Sequence, residues 1–364
     1  DMACRAVADG KVPAAVAGGV NVLLAPMGFV GFSKAHMLSE TGACRVFDEK
    51  ADGYVRSEGG AVVLLKPLAQ AQKDGDAVHA VIRATAVNSD GRTAGIALPN
   101  GKAQAALMAG IYGVELPKAR VAYVEAHGTG TKAGDPIEAR AIGEVLGHSQ
   151  GETPLLVGSV KTNLGHLETA SGMAGLAKAL CVLEKGEIPG NIHLETPNPA
   201  IDFSGLGLRV PVKTEKLPTV AGTPLVGLNS FGFGGTNAHV VLEQYRAPEV
   251  RVTVPTDRLL PLLVTANSRE SLTGAAKRLA ERLARADVAA FNRTAAALFH
   301  QREHLPHRFY LNARTIEEAL ASFRALAAGA ADFKNAALGR NALGAAKSAW
   351  VYSGNGSQWV GMGR

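Results

Sequence analysis

The spacing of apolar and polar positions gives the chain two textures. Residues 1–245 alternate short β-like runs with helical ones on a Gly-rich background, the pattern of a layered α/β domain. A helical stretch over 1–9 leads into 14–24, which reads as a buried strand running into a loop. Apolar, β-branched runs bounded by turn residues predict further strands at 60–66, 78–84, 121–125, 155–160, 224–229 and 238–243. Helical periodicity covers 102–113, 135–147 and 169–185. At Ala247-Pro-Glu-Val the pattern shifts. Residues 246–345 are rich in Ala, Arg and Leu, with helices near 268–286 and 315–328 and strands at 260–264 and 308–312. The Ala/Gly run near 327–346 reads as a boundary, after which Trp350-Val-Tyr-Ser-Gly-Asn begins a new segment.

A length of 364 residues suits two or three folding units, and 47% apolar with 19% charged residues is ordinary for a globular α/β chain. The longest apolar run, 20–32, is too short and too broken by Gly and Pro to span a bilayer, so no membrane helix is expected. Cys4, Cys44 and Cys181 are widely spaced and odd in number, with no C-x-x-C pair. This argues against a disulfide framework or zinc site and for a reducing, cytoplasmic compartment. The start lacks an initiator Met and a leader pattern, and reads as internal to a longer polypeptide. Residues 246–345 hold 15 Lys/Arg against 9 Asp/Glu, the whole net charge of +6. Those cations recur at helical spacing beside Leu and Ala, without interleaved aromatics, which favours a solvated helix face over a nucleic-acid surface.

Three segments share one layout, a β-like run followed at once by a loop of Gly and small polar residues: "YVEAHGTGTKAGDP" (123–136), "VGSVKTNLGHLETASG" (157–172) and "GLNSFGFGGTNAH" (227–239). Loops at the carboxyl ends of strands are where α/β folds build sites. The first offers His127, Thr129 and Thr131, whose hydroxyls can hydrogen-bond an amide-bearing chain; the second offers Lys161 and His166. Two neutral imidazoles, each donating one N–H, could hold a carbonyl oxygen as it becomes an enolate without a metal. The third loop could aim backbone N–H groups at an oxyanion, and it is neither a phosphate loop nor a dinucleotide fingerprint. Taken singly, each loop also fits a structural turn, and His239 on the following strand reads as structural.

These three segments, with "GACRVFDEKADGYVRSEGGAVVLL" upstream, closely resemble the β-ketoacyl synthase domain of type I polyketide synthases over residues 1–245. Residues 246–345 resemble the linker between ketosynthase and acyltransferase. Residues 346–364 resemble the start of an acyltransferase, with Asn355 where that family usually has Gln. The resemblance implies a thiolase-like layered α/β fold, here its C-terminal part, followed by a small α+β linker domain, and a homodimer. It implies decarboxylative Claisen condensation between an acyl thioester on an active-site Cys and a malonyl-type extender on acyl carrier protein. No cofactor or metal is expected on this chain, since the substrates ride on the phosphopantetheine of the carrier protein. An acyltransferase domain on the same polypeptide is a further implied partner; nucleic acid and membrane are not. Residue by residue, His127 and His166 match the enolate-stabilising histidines, and Lys161, with Glu168, the support of the second. Thr129 and Thr131 match the contacts to the phosphopantetheine arm, and Phe233 the residue whose backbone N–H serves the oxyanion hole.

Cys4 sits in an Asp-x-Ala-Cys tetrapeptide that resembles the setting of the nucleophile. The family places that thiol at the start of a helix, followed by serines, where the helix N-terminus favours thiolate. Here Arg5-Ala-Val-Ala-Asp-Gly follows, and Gly10 ends the helix. The spacing from Cys4 to His127 is also shorter than the family's. The nucleophile is therefore expected upstream of Asp1, and Cys4 reads as a buried packing residue near a helix end, with Cys44 and Cys181 structural too. On this reading the chain alone performs no condensation. A competing reading is a non-catalytic ketosynthase-like scaffold that docks carrier protein or a dimer partner. A hydrolase using an internal Ser or Cys lacks a G-x-S-x-G elbow.

Overall fold

The computed structural model describes residues 1–95, 98–247 and 254–341. The chain divides into two compact units, Asp1–Pro248 and Glu249–Arg364.

In the first unit, α1 (Met2–Ala8) leads to the antiparallel pair β1 (Ala15–Asn21) and β2 (Gly59–Leu65), with α2 (Met27–Lys34) between them. Next come α3 (Leu68–Asp74), β3 (Ala80–Ser89), α4 (Gly101–Ala109), β4 (Val121–Glu125), α5 (Gly134–Leu146), β5 (Leu155–Gly158) and α6 (Lys161–Leu164). They are followed by α7 (Ser171–Lys185), the small strands β6 (Glu187–Ile188), β7 (Leu208–Arg209) and β8 (Glu215–Lys216), then β9 (Leu225–Phe231) and β10 (Thr236–Gln244). Six of the strands form one mixed sheet in the order β3-β10-β9-β4-β5-β7. β4 is buried along its whole length and β9 at every position but one. Such nearly continuous burial belongs to strands covered on both faces. α7 covers one face with residues 174, 175, 178, 179, 182 and 183, a three-and-four spacing that makes a single stripe.

The order of the strands builds the site. β9, β4 and β5 are neighbours and mutually parallel, so their carboxyl ends leave the same edge of the sheet side by side, about 4.8 Å from strand to strand. The three Gly-rich loops therefore emerge together.

The expectation of a buried strand at 14–24 needs correction. β1 alternates half-buried and exposed positions, with Val16 and Val20 exposed, and Val62 and Leu64 of β2 show the same. Only one face of this two-stranded ribbon is packed.

The second unit is an antiparallel sheet of β11 (Leu262–Ala266), β12 (His307–Leu311) and β13 (Ala336–Arg340), with helices α8 (Arg269–Leu283), α9 (Val288–His300) and α10 (Ile316–Ala327). Ser268, Asp287 and Thr315 cap the three helices by accepting the N–H of Ser271, Ala290 and Glu318. α8 buries Leu272, Ala276, Ala280 and Leu283 and leaves Lys277, Arg278 and Arg282 in solvent, a hydrated basic face as its sequence predicts. β13 lies inside the Ala/Gly run that reads as a boundary. Ala336–Arg340 carries too few bulky residues to mark a strand, and pairing with β12 supplies what its side chains do not. The acyltransferase-like segment, Asn355 included, lies outside the described residues.

Candidate active site

Each histidine ring is held by a backbone N–H on its inner nitrogen. The Phe231 N–H, at the end of β9, donates to His127 Nδ1 at 3.3 Å, and the Glu168 N–H donates to His166 Nδ1 at 2.8 Å. An N–H can only donate, so each Nδ1 is the bare nitrogen and the neutral ring carries its proton on Nε2. The rings stand nearly perpendicular, 81° apart, with centroids separated by 5.4 Å. Both line one cavity of about 1090 Å³. The result is two neighbouring rings in one cavity, each with its Nδ1 taken and its Nε2–H left as the donor. Glu168 makes its bond from a left-handed φ of 44°, a costly conformation for a residue other than glycine, and the bond itself fixes the tautomer of His166.

The surroundings keep both rings neutral. Burial lowers the pKa of His127 and His166 well below 6.5, and the Lys161 cation pushes both further down. Lys161 is itself buried, and its Nζ donates to the His127 carbonyl oxygen at 2.5 Å. Burial lowers its pKa too, against the charges of Glu125 and Glu138, which favour the cation. Lys161→Met removes a cation that disfavours imidazolium, so both histidines should titrate higher. The low-pH loss of any reaction that depends on the neutral rings is expected to move to higher pH, which a pH–rate profile reads.

The loop carrying His127 hangs on two buried carboxylates. Glu138 accepts the His127 and Gly128 N–H groups, each at 2.8 Å, and Asp135 accepts those of Phe47, Thr129 and Gly130. Burial nevertheless raises the Asp135 pKa to about 7 and that of Glu138 above its usual range. Both stand on α5, three residues apart and hence on one face. "GDPIEA" displays them in the sequence; their backbone partners do not show there.

All the residues that the resemblance assigns to the site, except Lys161, line the cavity: His127, His166, Thr129, Thr131, Glu168 and Phe233. The two threonine hydroxyls lie 3.0 Å apart. The Phe233 side chain is exposed. The contacts that Lys161 and Glu168 make are divided between the two histidines. Lys161 bonds the main chain of the other histidine, and the Glu168 carboxylate pairs with Arg56 at 2.5 and 2.8 Å. What Glu168 gives His166 is its amide. Arg56, packed 4.6 Å from the Phe29 ring, carries no signal in the sequence for this role. Its two neighbours bracket His166, whose N–H donates to Val55 O while the Ser57 N–H donates to His166 O.

No cysteine lines the cavity among the described residues. Cys44 is buried, its Sγ accepts the Val55 N–H, and burial raises its pKa, which makes an unreactive thiol. Cys4 stands mid-helix on α1 and is only half-buried; Val7 is that helix's buried residue. Cys181 is exposed, because it falls off the stripe that α7 buries. Both depart from the expectation of packed thiols.

Family profiles agree with this architecture. The β-ketoacyl synthase N-terminal domain matches residues 1–71, the β-ketoacyl synthase C-terminal domain residues 79–195, and the ketoacyl-synthetase C-terminal extension residues 197–311. The chain belongs to the β-ketoacyl synthase family. One of the phenolphthiocerol/phthiocerol polyketide synthase polypeptides of Mycobacterium tuberculosis (strain CDC 1551 / Oshkosh) is 46% identical over 373 residues, covering 100% of this chain and 20% of that protein. A highly reducing polyketide synthase of Aspergillus aculeatus is 50% identical over 281 residues, covering 75% of this chain and 12% of its own length. This β-ketoacyl synthase chain thus spans a fifth or less of these two curated relatives. The oxazolomycin ketosynthase domain of Streptomyces albus JA3453 superposes with a TM-score of 0.80 at 35% identity, covering 93% of this chain and 59% of that one. The ketosynthase from module 6 of the Bacillus subtilis 168 bacillaene synthase gives a TM-score of 0.80 at 29% identity with the same coverage. The fold is therefore the thiolase-like one of the ketosynthases.

Proposed function

We propose that the His127/His166 pair is the decarboxylation and condensation site of a polyketide synthase ketosynthase. The observation that carries this reading is that two neutral imidazoles, each with Nδ1 taken by a backbone N–H, stand 5.4 Å apart in one cavity. A malonyl thioester whose carbonyl oxygen sits between them loses CO₂. The electron pair of the broken C–C bond then forms an enolate, whose charge grows on the oxygen that the donors already hold. In the condensation the enolate carbon attacks an enzyme-bound acyl thioester, forming the new C–C bond and expelling a thiolate. The oxyanion of that second step falls to the Phe233 backbone N–H, and Thr129 and Thr131 bind the phosphopantetheine arm. The proposed partners are an acyl carrier protein, an acyltransferase domain on the same polypeptide and a second copy of the chain.

Nothing favours a non-catalytic scaffold, which has no use for two tautomer-locked imidazoles. The acyl thioester is carried by a thiol other than Cys4, Cys44 and Cys181, so the chain alone decarboxylates without condensing. With malonyl-pantetheine, one CO₂ and one acetyl-pantetheine are expected per turnover as the enolate takes a proton from water. With an acyl-pantetheine donor, no acyl adduct is expected by intact mass. An adduct at Cys4 would contradict this assignment, and an unchanged malonyl thioester would refute the site.

A further inference from the structure

His239, on the strand that follows the third loop, is fully buried. Its ring is bonded on both nitrogens: Nδ1 lies 2.6 Å from Asn229 Oδ1 and Nε2 lies 2.8 Å from the Tyr112 hydroxyl. The Asn229 amide nitrogen donates to Glu138 Oε1 at 3.0 Å, so its Oδ1 can only accept. His239 therefore carries its proton on Nδ1, its Nε2 is bare, and Tyr112 donates to it. Every bond in this buried chain has one allowed direction: Tyr112 O–H to His239, His239 N–H to Asn229, Asn229 N–H to Glu138. Glu138 then takes the N–H groups of His127 and Gly128. A line of hydrogen bonds with a single polarity runs from Tyr112 to the Glu138 carboxylate, which also accepts from the backbone of a proposed catalytic residue.

The backbone is shaped to admit this line. His239 and Asn229 are cross-strand partners on β10 and β9, which sets their side chains together. Two residues before Asn229, a Cβ on Gly227 would lie 3.1 Å from both His239 Cε1 and the Tyr112 hydroxyl. Glycine there leaves room for the Tyr112–His239 contact. Burial lowers the His239 pKa to about 3, so the ring stays neutral in the tautomer its neighbours demand.

We propose that His239, oriented by Tyr112 and acting through Asn229 and Glu138, is a positioning residue for His127. It holds the loop so that the His127 Nε2–H meets the developing enolate oxygen. The proposal rests on the reading of His127 as an enolate-stabilising donor. A buried donor chain of fixed polarity orients the Glu138 carboxylate on which it ends more tightly than packing alone, and through it the His127 loop, as outer-shell partners do for ligating histidines.

The test is steady-state decarboxylation of malonyl-pantetheine by the whole chain, with folding followed by circular dichroism. His239→Phe keeps the packing and removes both hydrogen bonds; kcat is expected to fall by about 10- to 100-fold with KM within about twofold. His239→Asn, whose amide can still donate to Asn229, is expected to recover most of that loss. Tyr112→Phe removes only the first donor and is expected to lower kcat less, again without a change in KM. Unchanged kcat in folded His239→Phe overturns the proposal, as does equal loss in His239→Asn or a loss carried by KM. If His239→Phe does not fold, Tyr112→Phe decides by the same split. His127→Ala run in parallel separates the two ideas: if it decarboxylates normally, the functional reading fails, and if it is inactive while His239→Phe is not, only the positioning role fails.

Discussion

His166→Ala is expected to lower kcat for malonyl-thioester decarboxylation by on the order of 10²- to 10³-fold, the usual cost of losing one preorganised oxyanion donor. KM should change little, because the bond to the oxygen strengthens as charge develops on it. His127→Ala should cost a similar factor, and the double variant much less than the product of the two, since two donors to one oxygen act as a unit. Steady-state kinetics with malonyl-pantetheine checks all three. The pH profile carries a further mark of the pair. Protonation would place a second proton on Nδ1 of either ring, facing the Phe231 or Glu168 N–H that now donates to it. The pair therefore fails as pH falls. Because burial and Lys161 hold both pKa values well below 6.5, neither ring should put a break in the rate as pH passes down through 6.5.

Glu138→Leu is expected to destabilise the chain by about 3 kcal/mol in urea unfolding. The leucine strands three buried donors, the His127 N–H, the Gly128 N–H and the Asn229 amide. Each orphaned group costs about 1–3 kcal/mol, more than the substitution regains by removing a costly buried carboxylate. Glu138→Gln is the informative companion. Its oxygen can satisfy one side of the site, but its amide nitrogen then faces donors on the other. The loss should be smaller than for leucine but measurable. An unchanged midpoint in both variants would mean that the loop is held by packing rather than by the carboxylate.

Much of this site is legible in the sequence because its chemistry sits next to its structural cause. In each of the three loops an apolar run ends and the polar residues begin at once, so the strand that aims His127, and the loop that carries Lys161 and His166, stand in a dozen residues. The place of β4, Val121–Glu125, follows from the apolar run Val121-Ala-Tyr-Val124 with which it begins. What escapes is contact made by the backbone or across long separations. Nothing in the sequence tells that the Glu168 amide, rather than its carboxylate, serves His166, or that Arg56 takes that carboxylate from 112 residues away. Asn229 and His239 are both visible in the third loop, yet their pairing depends on the register of β9 with β10. The exposed faces of β1 and β2 escape for a different reason. An apolar run records that a strand can be buried, and only the packing around it tells whether one face or both are covered.

The proposed chemistry stands on His127 and His166 presenting two Nε2–H donors from neutral rings. Nitrogen-15 NMR of the histidine side chains reads this directly. Both rings are expected to carry the proton on Nε2 and leave Nδ1 bare, with neither titrating as pH is lowered from 8 through 6.5. A ring protonated on Nδ1 instead, or titrating near 6.5, would contradict that chemistry.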